Sequence, residues 1–294
     1  MAVLTHIVTA AQDGCTVRDL MTQHWNISTT LRKALRQRPS AVLCNGQSAQ
    51  MRQVLHFGDL VQVDVSDIED KESPIVPVDF PLSVLWEDDH LLAVDKPAGI
   101  TVHGAALTEE TVTVVGAAAH YLGSTAVHVV NRLDRGTSGV MLLAKNGYMH
   151  SRCMDLLHTD AFCRQYRAVC DGVPVPQCGI IDAPIARDTT SLLRRCVNAQ
   201  GQRAVTEYEV LSVHDGRGLV HLFPHTGRTH QLRVHMAHIG CPLSGDWLYG
   251  TEDRDLIARP ALHSYRLRFT HPLTGETVDI TAPIPEDMEQ LIGK

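Results

Sequence analysis

From Leu82 onward the chain is broken into short apolar runs divided by turn residues, and this texture limits the possible folds more than any other feature. The runs are SVLWE, HLLAVD, VHVV, GVMLLAK, CRQYRAVC, AVTEYEVLSV and GLVHLF, with His214-Asp215-Gly216 marking a hairpin between the last two. Three stretches with helical character interrupt them: Glu109 to Tyr121, Tyr148 to Leu157 and Arg228 to Ile239. Strands this numerous, with so few helices between them, predict a largely antiparallel α+β domain rather than a doubly wound one. A hydrophobic fraction of 44% against 20% charged residues supports a sizeable core and excludes a disordered or collagen-like chain. The 294 residues are enough for about two domains.

The part before Leu82 reads differently. Thr16 to Arg38 has helix-like spacing (Val17, Leu20, Met21, then Leu31, Ala34, Leu35), with Ser28 and Thr29 placed to cap a second helix. After Pro39, AVLCNG and GDLVQVDV read as short strands, the first ending in the turn pair Asn45-Gly46. SDIEDKESPIVPVDFP follows, and its charges and prolines read as a linker. The expected division is a module over 1–68, a linker over 69–81 and a larger domain over 82–294. No run approaches the ~18 apolar residues of a membrane span. The N-terminus lacks the basic start and apolar stretch of a signal peptide. The eight Cys form no C-x-x-C pair, which reads as reduced thiols in the cytoplasm.

The net charge of −7 argues on its face against a polyanionic partner, but the charge is sorted. No acid occurs between Asp19 and Asp59, where Arg32, Lys33, Arg36, Arg38 and Arg52 fall. A second acid-free stretch, Gly216 to Gly245, holds Arg217, Arg228 and Arg233 with five His. The acids collect around Asp64 to Glu72, at Glu87 to Asp89, and at Glu286 to Glu289. Such sorting can present basic faces to a polyanion, or simply make solvated helix faces.

Two segments could carry chemistry. In VVNRLDRGTSGVMLLAKN, residues 129–146, the carboxylate of Asp134 stands between Arg132 and Arg135 in a glycine-containing loop joining two apolar strands. On the residues alone, the plainer reading is that Asp134 closes a turn with Thr137 and Ser138. In LFPHTGRTHQLRVHMAHIGCPLSGDWLYG, residues 222–250, Thr226-Gly227 leads into a helix whose free N–H groups could meet phosphate, with Arg228 in the first turn. Arg233 lies far enough along that helix to point elsewhere. The nearby His do not follow a metal-binding spacing, and no metal is expected.

These residues carry a family resemblance. Asn131 to Gly139 resembles the H-R-L-D-x-x-T-S-G motif of the RluA-type RNA pseudouridine synthases, and Gly227 to His235 resembles their G-R-T-H-Q-[LI]-R-V-H motif. Asp95-Lys96-Pro97-Ala98-Gly99, Gln165-Tyr166-Arg167-Ala168-Val169 and Ala261-Leu262-His263 match in family order over roughly residues 80–285. Residues 1–68 similarly resemble the S-four-like RNA-binding domain, through Leu20, Ser28, Leu31-Arg32-Lys33, Arg36, Asn45-Gly46 and Gly58-Asp59.

The resemblance implies a mainly antiparallel mixed β-sheet flanked by helices, preceded by a small α+β RNA-binding module. It implies an isomerase that converts uridine to pseudouridine within ribosomal or transfer RNA, with no cofactor, no metal and no obligate protein partner, acting as a monomer. By similarity Asp134 is the catalytic aspartate, Arg233 its partner and Tyr166 the active-site tyrosine. Arg132 would fill the place of the extruded base. Arg228 would hold phosphate and Leu232 would line the uracil pocket, while Arg135 and Thr137 join the substrate-binding set. Arg32, Lys33, Arg36 and Arg38 would serve the RNA-binding module. Asn131 departs from the family's usual His, which leaves the loop geometry there open. A non-catalytic RNA-binding protein on the same scaffold is the alternative reading. The motifs do not say which RNA or which uridine is modified.

Overall fold

The computed structural model describes residues 2–67, 75–104, 112–157 and 159–293. Its N-terminal part contains β1 (Val3–Ile7), α1 (Val17–Gln23), α2 (Thr29–Gln37), β2 (Val42–Cys44), β3 (Gln47–Ser48) and β4 (Leu60–Asp64). Both helices start where the sequence supplies a cap. Thr16 Oγ1 accepts the Asp19 N–H while the Asp19 carboxylate accepts the Thr16 N–H, and Ser28 accepts the Leu31 N–H. Val17, Leu20, Met21 and Leu35 are buried as their spacing predicts, whereas Ala34 is exposed. The antiparallel sheet has the order β1-β4-β2-β3, so the two strands legible in the sequence form its centre. Asn45 and Gly46 turn the chain from β2 to β3 with φ of 51° and 76°, the left-handed geometry of a tight hairpin.

Residues 68–74, which include Glu69, Asp70 and Glu72 and the expected start of the linker, lie outside the described residues. Beyond them come β5 (Ser83–Glu87), β6 (Leu91–Lys96), α3 (Val114–Leu122), β7 (His128–Val129), β8 (Ser138–Ala144), α4 (Gly147–Leu156), β9 (Phe162–Asp171), β10 (Cys178–Asp182), β11 (Ile185–Arg187), β12 (Arg195–Val197), β13 (Val205–His214), β14 (Arg217–Pro224), α5 (Gln231–His238), β15 (Leu262–Thr270), β16 (Thr277–Thr281) and α6 (Glu286–Glu289). Every expected strand is present. The sequence reading missed β10, β11, β12, β15 and β16, which are short or place charged residues such as Arg266 and Arg268 among their apolar ones. The start of the expected Glu109 helix falls on residues 105–111, outside the described residues; α3 itself begins at Val114, capped by Thr113.

The large sheet runs β10-β13-β14-β9-β15-β8-β6-β5, with β16 on β15 and β7 on β8. Among the described residues β8 and β15 run parallel, and the other named strand pairs are antiparallel. The centre of this sheet is covered on both faces, so every residue of β8 is buried and the strand reads as one apolar run. On one face Val94, Met141, Leu143, Ala168 and Leu222 pack with α3 and with Leu232 of α5. On the other, Leu91, Val140, Leu142, Phe162 and Phe269 pack with α4.

The N-terminal part is seated on α4. Tyr148 belongs to its hydrophobic core and donates from its hydroxyl to the Trp25 carbonyl at 2.7 Å. Asp67 accepts the Gly147 N–H at 3.0 Å and pairs with His128 at 2.5 Å.

Candidate active site

The loop 130–137 crosses from β7 into β8 at the junction where β8 meets β15, and two features fix it there. Gly139 has φ of 107°, and a Cβ at that position would lie 2.2 Å from the Ser264 carbonyl oxygen. Any side chain would therefore push the two strands apart. From behind, the buried Lys96 ammonium donates to the carbonyls of Pro97, Arg135 and Thr137 at 2.8, 3.2 and 2.9 Å. Burial lowers the Lys96 pKa to about 8. Asn131, where the resembled family has His, is buried and bonds to β8 with both ends of its amide. Its oxygen accepts the Leu142 N–H at 2.7 Å and its nitrogen donates to the Val140 carbonyl at 3.4 Å. An amide supplies both N–H donors and an acceptor oxygen, so Asn131 ties the loop to the strand from both ends.

The turn does close, but through the backbone: the Thr137 N–H donates to the Asp134 carbonyl at 3.1 Å. The Asp134 carboxylate is left facing a cleft of about 400 Å³, within the usual size of a small-ligand site. Arg233 Nη1 lies 3.9 Å from it. The rest of that guanidinium is held by fully buried Asp246, which accepts from Nε and Nη2 at 2.7 Å each. Burial works against the Arg233 charge, yet the bonds to Asp246 and the nearby carboxylates outweigh it and raise the pKa. Asp246 thus points the remaining nitrogen of Arg233 at Asp134, a fork geometry that arginine supplies and lysine does not.

His230 completes the enclosure and was not singled out by sequence reasoning. It occupies the left-handed region, φ 58°, at the start of α5, with Nε2 3.9 Å from Asp134. Its Nδ1 lies 2.8 Å from the Tyr249 hydroxyl, which also accepts the Arg195 N–H at 2.8 Å. Burial holds its pKa below the ordinary histidine value, against the pull of Asp134. In the tautomer where the Tyr249 hydroxyl donates to Nδ1, the ring carries its proton on Nε2, the nitrogen nearer the carboxylate.

Tyr166, Leu232 and Thr137 are buried in the wall of the same cleft, and Arg132, Arg164 and Arg228 reach its rim. Burial raises the Tyr166 pKa. Arg135 is absent from the lining; it is exposed and its Nε donates to the Gly99 carbonyl at 2.9 Å. The expected helix start at Arg228 is corrected, because α5 begins at Gln231. Gln231 folds back so that its oxygen accepts both the Arg228 N–H and the Thr226 hydroxyl, at 3.0 and 2.7 Å, which occupies the place expected for phosphate. The expectation that Arg233 points away from Arg228 is likewise corrected, since both line the cleft.

The clustered His go to separate tasks. His235 is buried between Thr206 and the Ala183 carbonyl, His225 faces Glu207, and His221 packs its ring at a tilt against Phe223. Among the described residues no group of His, Cys, Asp or Glu is arranged to hold a metal ion. In the N-terminal part Lys33 and Arg36 are exposed. Arg38 is turned inward, donating to Asp64 at 2.8 Å and to the Ser66 carbonyl at 2.8 Å, and Arg32 bonds to Thr29 and the Ile27 carbonyl.

Residues 90–238 match the sequence family described as RNA pseudouridylate synthase, and residues 4–61 match the RluD ribosomal pseudouridine synthase N-terminal domain. The chain is 40% identical over 252 residues to an uncharacterized RNA pseudouridine synthase, YjbO, of Bacillus subtilis, covering 84% of this chain and 88% of that one. It is 38% identical over 266 residues to ribosomal large subunit pseudouridine synthase D of Xanthomonas campestris, covering 85% and 80%. Among solved structures it resembles human RNA pseudouridylate synthase domain containing 4, with a TM-score of 0.58 and 27% identity over 72% of this chain and 92% of that one.

Proposed function

The chain belongs to the RNA pseudouridylate synthase family and is an isomerase acting on RNA, and from that premise we propose that it modifies uridine in large-subunit ribosomal RNA with Asp134 as the catalytic group. The observation that carries the site assignment is the Asp246–Arg233–Asp134 alignment at the bottom of a nucleotide-sized cleft. The choice of RNA rests on relatives named for the large ribosomal subunit.

The chemistry balances without an outside reagent. The bond from N1 of uracil to the anomeric carbon breaks, the base turns, and carbon five forms the new bond. Carbon five loses a proton and N1 gains one, with no change in oxidation state, so no cofactor is required. The Asp134 carboxylate serves either route by which the first bond can break, attack on the sugar or removal of a sugar proton. Arg233 and the His230 N–H complement its charge and fix its direction before substrate arrives, which is where preorganised electrostatics act. Tyr166 sets its ring against the uracil, and its hydroxyl assists removal of the proton from carbon five, which the proton gained at N1 balances. Leu232 and Thr137 close the pocket. Arg132 takes the place of the extruded base, and Arg228 holds phosphate at the rim.

Residues 1–68 serve as an RNA-gripping module joined by a linker over 69–81 to the catalytic domain over 82–294, with Lys33 and Arg36 as its outward charges. The protein acts alone as a monomer in the cytoplasm. Arg135 supports the loop through Gly99 rather than touching the base.

Incubation with unmodified ribosomal and transfer RNA, followed by carbodiimide adduct formation and primer extension, tests this reading. Pseudouridine stops in large-subunit ribosomal RNA are expected. Stops confined to transfer RNA would overturn the choice of substrate, and light scattering showing a stable dimer would overturn the monomer.

A further inference from the structure

We propose that the β11–β12 hairpin carries a second phosphate site, a groove that receives the RNA backbone next to the extruded uridine. The proposal rests on RNA being the substrate and adds residues that neither catalytic motif contains. A groove of about 340 Å³ lies beside the cleft, lined by Arg187, Arg195, Gln202, Arg228 and Thr229 among others. Arg228 and Thr229 also line the catalytic cleft, so one strand of RNA can occupy both.

The charge arrangement is costly in the free protein. Arg187 and Arg195 are direct cross-strand partners, and like charges opposite one another weaken a strand pair. Among the described residues no carboxylate pairs with either guanidinium. The hairpin's acid, Asp188, is engaged by the Thr190 N–H and hydroxyl at 2.9 and 2.7 Å, and its other oxygen lies 3.9 Å from Arg194. A polyanion would relieve this repulsion, and planar guanidinium groups match phosphate with paired N–H donors.

The groove is also built on a fixed frame. Ile185 and Gln202 exchange N–H to carbonyl bonds of 2.9 Å across the neck of the hairpin. Ile185 packs with Ala204 and Val234 of α5, on the same strand face that carries Arg187 two residues further out. Arg228 is oriented by donating to the Arg203 carbonyl and to Gln202, each at 3.1 Å. The Arg195 N–H reaches the Tyr249 hydroxyl that bonds His230, so the groove stands at a set position relative to Asp134.

The test compares full-length wild type with Arg187→Ala/Arg195→Ala and Arg187→Lys/Arg195→Lys on an unmodified large-subunit ribosomal RNA transcript. The alanine pair should raise KM at least about 10-fold at physiological salt while kcat stays within about twofold, and should flatten the salt dependence of filter binding by about 1.4–1.8 in log–log slope. The lysine pair should keep most of the slope. Unchanged KM and slope in an alanine variant that melts like wild type would overturn the site. So would loss of inorganic phosphate binding with no change in the RNA salt slope, which marks a site for free anions. If wild type binds this transcript without modifying it, the choice of RNA has failed, and the salt slope of binding still reads the groove.

Discussion

The catalytic cleft and the basic helix of the N-terminal module both concentrate arginine, yet they use it in opposite ways. In the cleft Arg233 is buried and fixed by two bonds to Asp246 with a third nitrogen aimed at Asp134. On α2, Lys33 and Arg36 point to solvent, while Arg38 is drawn inward by Asp64. Chemistry needs a charge whose direction is set in advance, whereas RNA capture needs charges that can reach phosphate. Substitutions in the two places should therefore fail differently, one in turnover and the other in binding.

Among the groups that support Asp134, Asp246 should show the largest effect. Asp246→Asn leaves the Arg233 guanidinium buried without its anion, and such a break costs about 3–5 kcal/mol of stability. Calorimetry should find that loss, and turnover in the surviving folded fraction should fall on the order of 10²-fold with RNA affinity preserved. An affinity loss matching the turnover loss would erase the contrast between the two regions. Next, Arg132→Ala should lower kcat on structured RNA by about 10- to 100-fold and outweigh Arg36→Ala, because filling the vacated base position is part of reaching the reactive state. Equal effects in steady-state kinetics would remove that role.

Lys33→Ala/Arg36→Ala should be milder, with single-turnover kcat unchanged and the salt slope of RNA binding reduced by about 1–2. An effect on kcat would mean that the module takes part in chemistry. The smallest expected effect is on docking of the module. Burial tends to raise the Asp67 pKa, but its bonds to His128 and the Gly147 N–H hold it below the ordinary value. A carboxylate with a depressed folded-state pKa stabilises above its unfolded value and loses that contribution as pH falls through the folded one. The module should therefore loosen below about pH 4. Trp25 fluorescence should report it, since Tyr148 bonds the Trp25 carbonyl, and Asp67→Asn should abolish that acid transition.

The same contrast governs what could be read from the amino-acid sequence. Continuous apolar strands such as β8 and capped helices such as α2 announce themselves by local rules, and Arg132, Asp134, Thr137, Arg228, Leu232 and Arg233 of the cleft lie inside two motifs, with Tyr166 in a third matching segment. His230 and Asp246 were hidden because their roles come from long-range partners: Tyr249 orients one, and Arg233 gives purpose to the other. Gln231 misled the helix boundary because a side chain, invisible to periodicity, takes over the expected N-terminal site. Strands β11 and β12 have too few residues to show a pattern, and their meaning lies in Arg187 meeting Arg195 across the pair. Net charge misled as well, since −7 is an average over basic stretches and acid clusters that lie apart in the sequence.

The most direct test of the account is tritium release from RNA labelled at carbon five of uridine, measured for wild type and Asp134→Asn with RNA binding followed in parallel. The account predicts release by wild type, a loss on the order of 10³-fold or more in the variant, and binding within about threefold of wild type. Release by Asp134→Asn at the wild-type rate would contradict it.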